Sequence, residues 1–193
     1  GTSYSTPSIS ASTTYYVDAT DNSCTTGSRS AVTATVNAEP TVASTSPASR
    51  CGTGTVGLAA TASAGTINWY AASSGGASLG SGTSYTTPSI SASTTYYVDA
   101  TDGSCTTASR SAVTATVTAE PTVASTTPAS RCGTGSVGLA ASASAGTINW
   151  YAASSGGTSL GSGTSYTTPS ISVSTNYYVD ATDGSCTTAS RSE

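Results

Sequence analysis

The chain has 193 residues, with nine acidic side chains against five arginines, no lysine and no histidine, for a formal net charge of −4. That balance excludes the basic surface of a nucleic-acid binder, and the lack of histidine excludes a Ser-His-Asp nucleophilic triad. Charge is low in both signs, unlike a disordered chain, and eleven Tyr, two Trp and regularly spaced Val and Ile predict many short strands.

From the amino terminus, GTSYST opens the chain without an initiator Met and without a visible signal peptide, so a mature product or a fragment is expected. No apolar run approaches the roughly 20 residues of a membrane-spanning helix, so no membrane span is expected. TTYYVDATDNSC (Thr13 to Cys24) and AVTATV (Ala31 to Val36) follow. The first returns as TTYYVDATDGSC at Thr94 and as TNYYVDATDGSC at Thr175; GTSY starts at Gly1, Gly82 and Gly163, a period of 81 residues. The segmentation that follows is 1–37, the C-terminal part of a repeat; 38–118, a complete repeat; and 119–193, a repeat without its last strand. The second and third copies differ only at Ser46/Thr127, Thr55/Ser136, Thr61/Ser142, Ala77/Thr158, Ala92/Val173, Thr95/Asn176 and Ala112/Glu193. The pieces at the two ends do not partition into one repeat, so a window on a longer tandem array is preferred to head-to-tail strand donation.

Within 38–118, Glu39-Pro40 reads as linker or edge, because Pro cannot serve a central strand. Thr41–Thr45 is predicted as a short strand, and Ser46–Ser49 as a turn. Thr55–Ala62 alternates Val56, Leu58 and Ala60 on one face, the pattern of a half-buried strand. Gly65 turns the chain into a strand at Thr66–Ala71. Ser73–Gly82 is expected to be a loop with Leu79 as its apolar anchor. Ser84–Ile90 carries Tyr85, Thr94–Thr101 is a strand, Asp102-Gly103 is a hairpin turn, and Ala112–Val117 is the last strand.

Short strands with a turn every eight to twelve residues or so predict an all-β fold, a β-sandwich repeated in tandem. The sequence resembles immunoglobulin-like domains in detail. Trp69 of INWYA takes the buried Trp position. Tyr96 takes the tyrosine-corner place, two residues before the inward Val98. Ala60 and Val98 stand where antibody domains have their inter-sheet cysteines, so that disulfide is absent and Trp69 is expected to pack on aliphatic carbon. The expected core is Trp69, Tyr96 and Val98, with Trp150, Tyr177 and Val179 one repeat later. The ordered set RCGTGTVGLAA, INWYAASSGGASLGSGTSYTTPSI, TTYYVDATDGSC and SAVTATV resembles the immunoglobulin-like repeats of very large secreted surface proteins of Bacteroidota. That resemblance implies export to the cell surface and a place in adhesins, appendages or spacers beside catalytic domains.

Five cysteines without a CxxC pair or any histidine argue against zinc and for disulfides in an oxidising, extracellular setting. Three pairings fit the period. Within a repeat they are Cys51–Cys105 and Cys132–Cys186; across the linker, Cys24–Cys51 and Cys105–Cys132; one repeat further, Cys51–Cys186. In an immunoglobulin Greek key, Cys51 precedes one strand and Cys105 follows another of the same sense. An eight-residue strand is roughly 27 Å long, too far for a disulfide, which favours the inter-domain pair Cys51–Cys186. The advantage of an internal staple to a small domain, roughly 4 kcal/mol, keeps the intra-domain alternatives open.

Asp99 and Asp102, like Asp180 and Asp183, are a Ca²⁺ candidate set near a loop; the competing reading gives Asp102 to the turn and pairs Asp99 with an arginine such as Arg110. Trp69, Tyr70, Tyr85 and Tyr97 are a candidate sugar-stacking platform, against which stands a role in the core and on the outer sheet face. SSGGASLGSG lacks the Lys and helix of a phosphate loop. No catalytic residues and no cofactor are expected. The function expected is a non-catalytic extracellular stalk or fibre, with copies of the chain as partners through tandem and lateral or helical assembly. Adhesin repeats holding a glycan or host-surface ligand, and spacers of a secreted enzyme, are the alternatives.

Overall fold

The computed structural model describes residues 1–103 and 105–193, all of them strand, turn or irregular segment. Among them no helix is long and apolar enough to cross a membrane. Residues 1–37 hold β1 (Thr13–Val17), β2 (Thr20–Asp21), β3 (Cys24–Thr25) and β4 (Ser30–Ala34), with β1 antiparallel to β4 and β2 to β3. Residues 38–118 hold β5 (Val42–Ser46), β6 (Ala48–Cys51), β7 (Gly57–Ala62), β8 (Thr66–Tyr70), β9 (Gly80–Ser81), β10 (Ser84–Thr86), β11 (Thr94–Asp102), β12 (Cys105–Thr106) and β13 (Ser111–Thr118). Residues 119–193 hold β14 (Val123–Thr127), β15 (Gly138–Ala143), β16 (Thr147–Tyr151), β17 (Gly161–Ser162), β18 (Ser165–Thr167), β19 (Tyr178–Asp183) and β20 (Cys186–Thr187).

The middle repeat forms two sheets, β10-β7-β5 and β6-β13-β11-β8-β9, with β12 paired to the end of β11. The last repeat keeps the same plan as β14-β15-β18 and β17-β16-β19-β20. By compactness the chain divides into two units, Gly1–Thr45 with Ala60–Thr83 and Tyr97–Ala112, and Ser46–Ala59 with Ser84–Tyr96 and Val113–Glu193.

In the first unit, β8 pairs with β11 so that Trp69 stands opposite Val98 and Ile67 opposite Ala100. All four are buried, together with Ala60. The Trp69 indole N–H is satisfied by the Gly82 carbonyl at 2.9 Å. Gly65 turns the chain with φ +72, and a Cβ there would collide with the Thr101 carbonyl, so only glycine serves. The β1–β4 hairpin repeats the Tyr-Tyr-Val pattern, yet Val17 and Val32, counterparts of the buried Val98 and Val113, are half exposed. In the second unit, Val56, Leu58, Val113 and Ala115 are buried, and Tyr96 is buried with its ring 5.4 Å from that of Tyr85. Ala141, Ile148, Trp150, Val179 and Ala181 form the core of the last repeat.

Three expectations need correction. Ser46–Ser49 is not a turn: after Pro47 the chain becomes β6, parallel to β13 with Ala48 opposite Ala115 and Cys51 opposite Thr118. Proline removes a ladder donor, and the chain changes sheet there. In the last repeat the equivalent Ala129–Cys132 is not a strand, because no counterpart of β13 is present to pair with it. Leu79 is not a loop anchor, being 45% exposed; the loop is held by the Trp69 indole and by Ser78, whose hydroxyl donates to the Gly80 carbonyl at 2.8 Å. Tyr177 is only half buried where Tyr96 is buried, again for want of the strand that would follow.

Candidate functional site

Two constructions carry the chemistry of the molecule: one disulfide between repeats, and an arginine clamp found in residues 38–118 and again in 119–193. The disulfide joins Cys51 to Cys186, with Cα atoms 5.5 Å apart and 135 residues between them in sequence. Cys51 ends β6, and the chain beyond it is held by Arg50. Its Nε donates to the Gly52 carbonyl at 3.1 Å and its Nη1 to the Thr55 carbonyl at 3.1 Å. Gly54 takes φ +156, and a Cβ there would collide with the Arg50 guanidinium. The Gly52 amide donates to the Thr118 carbonyl at 2.9 Å. Gly52 itself has φ +65 and leaves room for the Glu120 carboxylate, which a Cβ would meet at 2.6 Å. Cys186 is 1% exposed and opens β20, opposite Asp183 across a turn made at Gly184, φ +58. The Ser185 carbonyl oxygen lies 3.7 Å from the Cys51 sulfur, a packing contact, since a disulfide sulfur has no proton to donate.

The intra-domain pairs do not form: Cys105 and Cys132, with Cys24, are free thiols. The reason is strand direction. Cys51 stands opposite the last residue of β13, whereas Cys105 leads into its first. An eight-residue strand rises about 27 Å, several times the Cα separation a disulfide tolerates.

The clamp surrounds Asp99, which is 5% exposed. Asn68 Nδ2 donates to Asp99 Oδ1 at 3.0 Å and Arg110 Nε to Asp99 Oδ2 at 3.4 Å. The Arg110 guanidinium carbon lies 3.2 Å above the centroid of the Tyr70 ring. Its Nη1 donates to the carbonyls of Ala72 and Gly75 at 2.8 and 2.7 Å. Burial raises the Tyr70 phenol above its ordinary value of 10.0, and a hydrogen bond to the Asp99 carboxylate adds to this, against the opposing pull of Arg110. The arrangement returns in the last repeat with Asp180, Asn149, Arg191 and Tyr151. In residues 1–37 only Arg29 and Asp18 remain, 3.1 Å apart and with 69% and 35% of their side chains exposed, because no counterpart of β8 lies beside them.

The clamp keeps the Ca²⁺ candidates of each repeat from converging on one site. Asp99 and Asp102 are an odd number of residues apart on β11 and point to opposite faces. Both oxygens of Asp99 are taken, while Asp102 is exposed at its turn. Asp180 and Asp183 repeat this arrangement. Among the described residues, no group of three or more His, Cys, Asp or Glu is placed to hold a metal. The sugar platform fares likewise at Tyr70, whose ring face is covered by Arg110, and Trp69 is fully buried. Sequence reasoning named Arg110 as a partner of Asp99 but missed its stacking on Tyr70 and its hold on the Ala72–Gly75 loop. The one available signal was that Asn68, Tyr70, Asp99 and Arg110 recur together at the 81-residue period.

The family model described as "Ig-like domain CHU_C associated" matches residues 1–37, 38–118 and 119–193. The chain belongs to this family. A tandem array of such Ig-like domains is a structural or binding scaffold. Among curated proteins none matches it. Among solved structures, the Ig-like repeats match "Chimeric titin Z1Z2-Z1Z2 tandem (Z1212) functionalized with a GRGDS exogenous peptide from fibronectin" at 16% identity and a TM-score of 0.32, over 79% of this chain and 96% of that one.

Proposed function

We propose that these Ig-like repeats form a non-catalytic, extracellular stalk or fibre on a bacterial surface. The observation that carries this reading is the Cys51–Cys186 bond, which ties one repeat covalently to the next. A single domain that only needed stability would staple itself; a bond across repeats serves to fix a junction. Near-identity of the repeats means that every junction is made by the same residues. A constant junction gives a constant step and twist. Strands of eight or nine residues give each repeat a rise of about 30 Å. The bond also favours an oxidising compartment. The likeness of the repeat motifs to those of Bacteroidota surface proteins favours a bacterial exterior.

Copies of the chain are the partners this reading calls for, through lateral pairing of short edges of small Ser, Thr and Ala side chains such as β5 and β14. The glycan-binding alternative loses its best platform to the arginines over Tyr70 and Tyr151. Electron microscopy of the native assembly tests the proposal. A regular rod or helix with an axial period of one or two repeats is the expected result. Flexible, unassociated beads would overturn it.

A further inference from the structure

The register of the disulfide accounts for all three free thiols. The bond joins the cysteine of an RCGTG segment in one repeat to the cysteine of the DATDGSC hairpin in the next, 135 residues on. Cys132 is the RCGTG cysteine of residues 119–193, and its partner at that spacing falls beyond Glu193. Cys24 and Cys105 are hairpin cysteines, and their partners fall before Gly1. Each free thiol therefore lies in one of the two kinds of segment that the Cys51–Cys186 bond joins.

We propose that Cys132 is a covalent docking site for the DATD-x-S-C hairpin of a further repeat, and that in a solution of this chain its occupant is Cys24 of a second copy. Both halves share local features with the bonded pair, though Ala129–Cys132 is not a strand as Ala48–Cys51 is, and the turn before Cys24 is made at Asn22 and Ser23, φ +46 and +76. On the hairpin side, Cys24 stands opposite Asp21 as Cys186 does opposite Asp183. The Thr26 amide donates to the Ala19 carbonyl at 2.9 Å, as that of Thr188 does to Ala181 at 3.0 Å. On the receiving side, Arg131 Nη1 donates to the Ser136 carbonyl at 3.2 Å, as Arg50 does to Thr55 at 3.1 Å. Gly133 and Gly135 have φ +71 and +158, against +65 and +156 at Gly52 and Gly54. The hairpin ladder at Cys24 and the glycine turn after Cys132 are already formed and only the Ala129–Cys132 segment is left to order, which favours this pair over an unstructured thiol. Cys24 is preferred to Cys105 because it is exposed, whereas Cys105 is partly buried.

The chemistry is thiol–disulfide exchange with an external disulfide as oxidant, oxidised glutathione in the test below. One cysteine thiolate attacks the oxidant and releases a glutathione thiolate. The second cysteine thiolate then attacks the mixed disulfide and releases the other. Two protein thiols become one disulfide, and one oxidised glutathione becomes two reduced. The proposal does not rest on the stalk reading, since a binding array would carry the same bond.

The test incubates the 193-residue chain in a glutathione redox buffer and separates the products without reduction. A ladder of disulfide-linked multimers is expected. Cleavage after arginine leaves Cys24 alone in residues 1–29, Cys51 and Cys105 in residues 51–110, and Cys132 and Cys186 in residues 132–191, the last two peptides already joined by Cys51–Cys186. Residues 1–29 linked to that pair in the Cys105→Ser chain, where Cys132 is its only remaining thiol, are the diagnostic product. Cys132→Ser and Cys24→Ser should each collapse the ladder to monomer while keeping the Cys51–Cys186 bond, and Cys105→Ser should leave it intact. Absence of multimers, a ladder that survives Cys132→Ser, or links that are chiefly Cys24–Cys24 or through Cys105 would overturn the proposal.

Discussion

Asp99 shows at the scale of single residues what the repeat protects. A carboxylate 5% exposed is costly unless it is paired and hydrogen-bonded, and here Asn68 and Arg110 take one oxygen each. Removing one partner of a buried pair costs more than the pair contributes, because the remaining charge is stranded. Arg110→Ala also loses the ring contact with Tyr70 and two loop carbonyl bonds. It is expected to destabilise the repeat by about 3–5 kcal/mol, measured by urea unfolding. The exposed Arg29, with 69% of its side chain in solvent, should respond to the same substitution by less than about 0.5 kcal/mol. Equal losses at the two sites would defeat the argument. The tyrosines supply a second residue-scale prediction. Burial raises Tyr70, Tyr96, Tyr151 and Tyr177 above the ordinary value of 10.0. A folded-state value above the unfolded one means that the native state binds its protons more tightly. The contribution is fully present below about pH 10 and is lost as pH rises through the higher folded-state values. No lysine titrates in that window, so with the free thiols alkylated the melting temperature should hold to about pH 9 and fall from about pH 10 upward as phenolate absorbance grows. A flat profile to about pH 11 would refute it.

Among the elements, turns fix where strands begin, and the glycines at them are not equivalent. Gly65→Ala places a methyl on the Thr101 carbonyl at φ +72 and should cost more than about 2 kcal/mol. Gly75→Ala, at φ +63 with nothing within 4 Å, should cost only about 1 kcal/mol for the backbone conformation. Chemical denaturation of the two variants checks the ordering, and a reversed order would mean that the β7–β8 turn moves freely. The strands legible in the sequence were those whose signal is local. Alternation of Val56, Leu58 and Ala60 marked β7, INWY marked β8, and YYV with Asp-Gly marked β11 and its hairpin. The inward set Trp69, Tyr96 and Val98 was legible through the resemblance to immunoglobulin-like domains. What stayed hidden depends on distant partners. β6 exists because β13 lies beside it, as the unpaired Ala129–Cys132 of identical local sequence demonstrates. Tyr177 matches Tyr96 in sequence yet is half buried, since burial belongs to the neighbouring strand and not to the residue. Loop anchoring was misassigned for a related reason: hydropathy pointed to Leu79, while the work is done by an indole N–H and a serine hydroxyl. A direct check follows. Extending the chain past Glu193 with the counterpart of Val113–Thr118 should turn Ala129–Cys132 into a strand, with amide exchange there slowing to match Ala48–Cys51. Continued fast exchange would show that β6 owes nothing to β13.

For the whole molecule the staple matters more as a coupling than as a source of stability. The two sequence-matched repeats are unequal, because the last lacks one strand and leaves Tyr177 half exposed beside a core of Ala141, Ile148, Trp150, Val179 and Ala181. Left to itself it should unfold first. The bond spans 135 residues, and closing so long a loop in the unfolded chain is worth about 5 kcal/mol on chain-entropy grounds. That contribution appears in full only when the enclosed residues unfold together, because one folded repeat already restricts the ends. The bond therefore favours joint unfolding over sequential unfolding. Calorimetry of the oxidised chain should show a single transition. Cys51→Ser should split it in two, the lower belonging to residues 119–193, with the upper transition moved much less than the lower. Tyr166→Ala, which removes the ring stacked 5.6 Å from Trp150, should then lower only the first transition in the Cys51→Ser background, but the whole transition when the bond is intact. Two resolved transitions in the oxidised chain would mean that the repeats unfold independently and that the staple holds their junction without coupling their cores.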